Sequence, residues 1–331
     1  MCGESLLCLC LALGVVGGAV LADDRPIASR YPGDAGIRKD PAVIFADDFE
    51  SWTDGGAKPP EGTWDTEQKK ISRTCVVPGK VVAEGLSGPG NGVLEVACWA
   101  MGKGEASGGV TLKLGNYEHA NEGRGDGYDE LFVRYYIKFG DSFRGMPNHG
   151  ANLGGRDLSR PDSAWAGQAA IRDIASCGYF YSGLQPYGKN GSREVEMGFY
   201  SYHLDKHDQW GDSYEVQKHI PIQVGQWHCV ERHMKLNSVT AEGKANMDGI
   251  EELWVDGQLS ISKAVRFRKT PALRITFFSL GMYYHALPKD YDAAHPITVY
   301  FDDLVIARQY IGPMGGKGPA SVPAFKSARE R

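Results

Sequence analysis

Beyond residue 22 the sequence lacks a long hydrophobic run, an excess of charge of either sign, closely spaced cysteines and a convincing amphipathic helix. Each absence removes a class of protein. Without a later apolar stretch of ~20 residues, nothing there reads as a membrane-spanning helix. The 36 Lys and Arg stand against 41 Asp and Glu, a net charge of −5, so no basic field draws the chain to nucleic acid or an anionic membrane. Local basic clusters remain free to receive an acidic substrate. Of seven cysteines, Cys2, Cys8 and Cys10 lie in the first ten residues. The other four, Cys75, Cys98, Cys177 and Cys229, show no Cys-x-x-Cys spacing, which argues against zinc. They suffice for two disulfides, with Cys75–Cys98 one pairing among three connectivities, or they are buried thiols. A nucleophile elbow and a reactive-cysteine context are also missing, which sets aside serine and cysteine hydrolases.

The first residues supply what the rest withholds. Leu6 to Ala22 is an apolar run followed at once by Asp23 and Asp24, with Val20 and Ala22 at a small-residue cleavage position. This pattern reads as a secretory signal peptide over residues 1–22, and so as a secreted or periplasmic protein with no membrane attachment after cleavage. Residues 23–41 and 312–331 are polar and rich in Gly or Pro, the composition of loose tails. Between them lies one domain, 42–311, in which short runs of Val, Ile, Tyr, Phe and Trp recur between Gly, Asn, Asp and Pro clusters. That is the signature of an all-β chain, a two-sheet antiparallel jelly-roll sandwich. Strands are predicted at 43–49, 92–99, 109–114, 130–139, 168–174, 179–184, 195–204, 227–236, 253–255 with 258–262, 274–283 and 297–307. Asp256-Gly257 marks a type I′ hairpin turn. The similar patterns FADDFE and VYFDDLVIA predict that the first and last strands pair.

Alternation assigns faces, because residues i, i+2 and i+4 of a strand share one side. Arg134, Tyr136 and Lys138 oppose Val133, Tyr135 and Ile137. Gln168 and Arg172 share a side, as do Tyr179 and Tyr181, and Glu194, Glu196, Tyr200 and Tyr202. These residues are predicted to line one sheet face on which tyrosine rings stack on sugars while Arg, Gln and Lys take hydroxyls or carboxylates. The expected partner is an acidic polysaccharide, the expected state a monomer, and no organic cofactor is implied. Two readings of metal sites arise. His203, His207 and Asp208 sit on a strand end and loop rather than a helix, which disfavours zinc. The pairs Asp47-Asp48 and Asp302-Asp303 are candidates for a structural calcium if the terminal strands meet.

In order, YYIKF, the glycine-rich loop FRGMPNHGANLGGR, AWAGQAAIR, GYFY, GQWHCVERHMKLN and DGIEELWVDGQ resemble the landmarks of polysaccharide lyase family 14 and its alginate and glucuronan lyase relatives, over most of Val43 to Arg308. The resemblance implies a concanavalin A-like jelly roll and cleavage of a uronate polymer by β-elimination. It carries a Tyr-x-Tyr pair onto Tyr179 and Tyr181. Where those lyases have Ser and Arg this chain has Ala166 and Gln168, and Asn148 or His149 stands in place of their loop lysine. Elimination needs a cation on the carboxylate, a base and an acid: Arg172 or Lys138, His149 or a tyrosinate at Tyr179, and Tyr181 fill these roles. Two rivals follow from the same residues. A family 16-like glycoside hydrolase would use Glu194 and Glu196, with Phe199 where its acid would stand. A binding module would keep the tyrosines without turnover.

Overall fold

Alternating β-branched and aromatic runs need partners on both edges and cover on one face, and the chain meets both needs by pairing distant strands. The computed structural model describes residues 25–52, 64, 80–86, 88–102, 104–117, 123–144, 147, 149–159, 178–188, 192–207, 210–214 and 216–315. Among them are fifteen strands: β1 (Val43–Asp47), β2 (Lys80–Gly85), β3 (Gly88–Gly102), β4 (Glu105–Lys113), β5 (Glu130–Phe139), β6 (His149–Arg156), β7 (Tyr179–Gly188), β8 (Glu194–Tyr202), β9 (Asp212–Tyr214), β10 (Ile222–Gln223), β11 (His228–Lys235), β12 (Gly249–Val255), β13 (Gln258–Val265), β14 (Phe277–Tyr284) and β15 (Ile297–Ala307). Their ladders run in the order β10-β8-β7-β6-β14-β4-β3-β15-β5-β11-β12-β13, with β1 on β15, β2 on β3 and β9 on β8.

The long strand β3 belongs to both layers of the sandwich. Its Leu94–Cys98 stretch pairs with β15, and from Trp99 onward it pairs with β4. The path therefore folds into a first layer (β2, β3, β15, β1, β5, β11, β12, β13) and a second (β3, β4, β14, β6, β7, β8, β9, β10). Their inner faces share one hydrophobic core. Within it Tyr135 of β5 meets Phe278 of β14 at 6.2 Å between ring centres. The Cys98 thiol on β3 donates to the carbonyl of Met282 at 3.7 Å. As alternation predicts, Val133, Tyr135, Ile137 and Phe139 all point into this core. The terminal strands pair antiparallel, with Asp47 opposite Leu304. At the β12–β13 hairpin Asp256 (φ 50) and Gly257 (φ 74) both take the left-handed conformation that a type I′ turn demands.

Two expectations are corrected and one open reading is decided. The segment beginning at residue 23 is not a loose tail from residue 25 on. Its 3-10 turns Ile27–Arg30, Pro32–Asp34 and Ile37–Lys39 bury Ile27, Ala28 and Ile37 against Phe132, Trp254, Val305, Tyr310 and Ile311 on the outer side of the first layer. The start of the C-terminal segment is tied down there too. The amides of Ile311 and Gly312 each donate at 2.7 Å to Glu231, and that of Met314 donates to the Tyr136 hydroxyl at 2.7 Å. Second, of the two readings left open for the cysteines, paired or free, Cys98 and Cys229 take the free one as buried thiols. Third, much of the glycine-rich stretch read as a loop is β6, paired with β14 and β7. Glycine is required there by close backbone approach. A Cβ at Gly155 would lie 1.6 Å from the carbonyl oxygen of Arg274, and one at Gly150 would lie 2.4 Å from that of Gly281. The predicted strand 168–174 lies outside the described residues. No described helix is long and apolar enough to cross a membrane.

Candidate functional site on the outer face of the second layer

On β7 the side chains of Phe180, Ser182 and Leu184 go inward and are fully buried, so Tyr179 and Tyr181 take the outer face. On β8 Val195, Met197, Phe199 and Ser201 go inward, which turns Glu194, Glu196, Tyr200 and Tyr202 outward. The register sets Tyr181 directly opposite Tyr202, with ring centres 4.8 Å apart. Tyr200 crosses Tyr202 edge-on at 5.7 Å, and Tyr179 packs on Tyr181 at 6.1 Å and Phe277 at 6.3 Å. The sequence expectation that the two tyrosine pairs share a face is met.

The hydroxyls of Tyr181, Tyr202 and Tyr200 form a hydrogen-bonded chain. Tyr181 bonds Tyr202, Tyr202 lies 3.5 Å from Tyr200, and the amide of Gly211 donates to Tyr200 at 3.1 Å. Burial, and then the neighbouring tyrosines, hold the Tyr181 hydroxyl well above the usual phenol value. Burial and the bond to Tyr200 raise Tyr202 likewise. Across the face, burial and Glu105 push Tyr283 up to about 12. These phenols are protonated at neutral pH. They are proton donors, and none of the three is a tyrosinate base.

Register adds residues that the sequence reading missed. Arg156 stands opposite Tyr179, Lys113 opposite Phe277, and Ser107 opposite Tyr283. Side chains directly opposite in an antiparallel ladder share a face, so two cations join the tyrosines. Asn152 falls between inward-facing Ala151 and Leu153, and its Oδ1 is buried without a hydrogen-bond partner. Arg156 and Asn152 escaped notice because their stretch read as loop and received no face. Tyr283 was legible, since Phe277, Ser279, Gly281 and Tyr283 alternate along one strand. His149 opens β6 with its backbone paired to Tyr283.

Other expected members stand elsewhere. Arg134, Tyr136 and Lys138 are not on this face but on the outside of the first layer. Arg134 is fully buried in an ion pair with Asp34, Tyr136 accepts the Met314 amide, and Lys138 lies over the rings of Trp227 and Tyr300 at 5.2 and 4.8 Å. Alternation says which residues of one strand share a side, not which layer that strand joins, and here the N-terminal turns cover the side in question. Glu194 and Glu196 sit at the start of β8, where Glu194 takes the Gln223 amide at 3.1 Å and Glu196 pairs with His219. Phe199 is fully buried beneath the guanidinium of Arg232. Arg172 and Gln168 lie outside the described residues.

Behind the face, Arg232 of β11 crosses the core. It donates to the carbonyls of Ala151 at 2.9 Å and Ser182 at 3.0 Å and pairs with Glu251 at 3.1 Å. Glu251 in turn accepts from Ser201 at 2.9 Å. One buried ion pair thus pins the backbones of β6 and β7, and the Ser201 side chain of β8, to the first layer. The candidate metal groups are engaged otherwise. Asp47 accepts the indole N–H of Trp52 at 3.2 Å and of Trp64 at 2.6 Å. Burial and Asp303 push Asp302 up to about 8. Asp212 lies between His203 and His207 at 3.2 and 2.8 Å. Among the described residues no group of three such side chains is arranged to hold a metal ion.

No protein-family model matches the chain, and no curated protein matches it. Solved structures do. Alginate lyase vAL-1 from Chlorella virus is 14% identical, covering 80% of this chain and 99% of its own, with a TM-score of 0.48. The endo-β-1,4-glucuronan lyase of the fungus Trichoderma reesei is 12% identical, covering 85% and 100%, at 0.47. Alginate lyase Aly36B is 18% identical, covering 67% and 83%, at 0.42.

Proposed function

We propose that the protein binds an acidic, uronate-containing polysaccharide across the outer face of the second layer and cleaves it by β-elimination. The observation that carries this reading is the Tyr181–Tyr202–Tyr200 hydroxyl chain, with Tyr181 and Tyr202 held protonated, on a face that also bears Arg156 and Lys113. Elimination breaks the bond between a ring carbon and the glycosidic oxygen, and the departing oxygen needs a proton. Tyr181 supplies it. Tyr202 refills Tyr181, and Tyr200, the half-buried member of the chain, recovers the proton from solvent. Arg156, with Arg172, neutralises the substrate carboxylate, which acidifies the proton on the neighbouring carbon. His149 or Tyr179 removes that proton, and the electron pair left behind forms the carbon–carbon double bond.

The test is ultraviolet absorbance of the conjugated, unsaturated uronate product on mixing the protein with alginate, glucuronan and other acidic polymers. A rise with one polymer is expected and names the substrate class. Retention of polymer on immobilised protein with no rise would instead make the chain a binding module. Ala166 and Gln168 in place of the lyases' Ser and Arg are the observation that favours that second reading.

A further inference from the structure

A lone exposed tryptophan is ordinary, but two at opposite margins of one sheet face are not. Among the described residues the exposed tryptophans are Trp99, 37% exposed, and Trp210, 46% exposed. Trp99 stands where β3 turns into the second layer. Its neighbour Cys98 is fully buried in the core, so Trp99 points outward. It pairs with Ser107, which pairs with Tyr283, so one row of the face runs from Trp99 through Ser107 to Tyr283. Trp210 lies just past the other margin, in the connection from β8 to β9. The following residue, Gly211, bonds Tyr200 and lies so close that a Cβ there would sit 3.0 Å from the rings of Tyr200 and Tyr202.

We infer that Trp99 and Trp210 are two sugar-stacking platforms at opposite ends of a groove that crosses the strands of the second layer, and that they set a minimum chain length for the polysaccharide. From β3 to β8 there are five ladders, a span of roughly 24 Å at the usual strand spacing. No single sugar bridges it. An extended oligosaccharide does, its middle residues lying over Tyr283, Asn152, Tyr181 and Tyr200 with Arg156 and Lys113 beside its carboxylates. An indole that stays exposed in the free protein has apolar area to bury against a sugar's C–H face, and this contact tolerates different sugars because it needs no hydroxyl pattern. The inference rests on the polysaccharide reading above.

Calorimetric titration of a graded series of alginate and glucuronan oligosaccharides into the full chain, its W99A and W210A variants and the double variant tests it. Both indoles are exposed, so the variants are expected to keep the wild-type circular dichroism and melting temperature. Each single change is expected to weaken the longest oligomers by about three- to tenfold, the size of one aromatic contact, and to leave the shortest that binds unaffected. The two losses multiply in the double variant, because sites this far apart act independently. Wild-type affinity for every length in both variants overturns the inference alone, as does equal loss at all lengths. Failure of the unmodified protein to bind any oligomer overturns the functional reading and this inference with it.

Discussion

A tyrosine hydroxyl is a weak acid in water, and its usefulness depends on what surrounds it. Burial and the chain of neighbouring phenols raise Tyr181, which keeps the proton in place until an oxygen of rising basicity meets it. Tyr181→Phe removes that proton and little else, since the ring stays packed against Tyr202 at 4.8 Å. The expected result is loss of roughly 10²–10⁴-fold in turnover, with polymer binding and melting temperature near wild type. Steady-state rates and thermal melts check it, and full activity of this variant would sink the role. The same residue-scale logic separates Tyr181 from Tyr136. Both are tyrosines on strands with polar alternation, yet one ends in the hydroxyl chain and the other in the Met314 amide.

Strand β6 is the element on which the site depends, and it is poorly suited to stand alone. It has glycine at three of its eight positions and a bulge between Gly150 and Leu153, and Ala151 in the bulge takes φ 46. It is held from outside by β14, by β7 and by Arg232 behind the bulge. Gly155→Ala drives a methyl group into the Arg274 carbonyl. A loss of more than about 1–3 kcal/mol is expected by the cost of overpacking, read as a lower denaturant midpoint. Arg232→Met leaves Glu251 buried without its ion-pair partner and is expected to cost about 3–5 kcal/mol, with the double variant Arg232→Met/Glu251→Gln recovering part of it. A single variant as stable as wild type would mean the bridge is not what holds the layers in register.

For the whole molecule, pH acts on stability through acids buried far from the tyrosines. Burial raises Asp302 to about 8, Asp303 to about 6 and Glu231 to about 7, against ordinary values of 3.8 and 4.5. A carboxyl whose folded value is raised favours folding fully below its unfolded value, and that contribution disappears as pH rises through the folded value. The protein is therefore expected to lose stability between about pH 4 and pH 8. Asp302→Asn should remove part of this slope, raising the melting temperature at pH 8 by about 2–4 °C or more while changing it little at pH 4. Parallel melting curves of the two proteins across that range would contradict the assignment.

How much was legible in advance follows from the range of each signal. Period-two alternation is local, and it placed β5 and β15 to the residue, the Asp256-Gly257 turn and the outward pairs Tyr179/Tyr181 and Tyr200/Tyr202. The matched patterns of the terminal strands correctly announced the β1–β15 pairing. Glycine hid β6, because a strand made of residues that favour no strand is specified only by neighbours too close to admit a side chain, and Arg156 and Asn152 were hidden with it. Arg134 and Lys138 were given the right side of their strand and the wrong layer of the molecule. Alternation within a strand is written in the chain, but which layer that strand joins, and what then covers it, depends on contacts between residues as far apart as Asp34 and Arg134, and those exist only once the chain has folded.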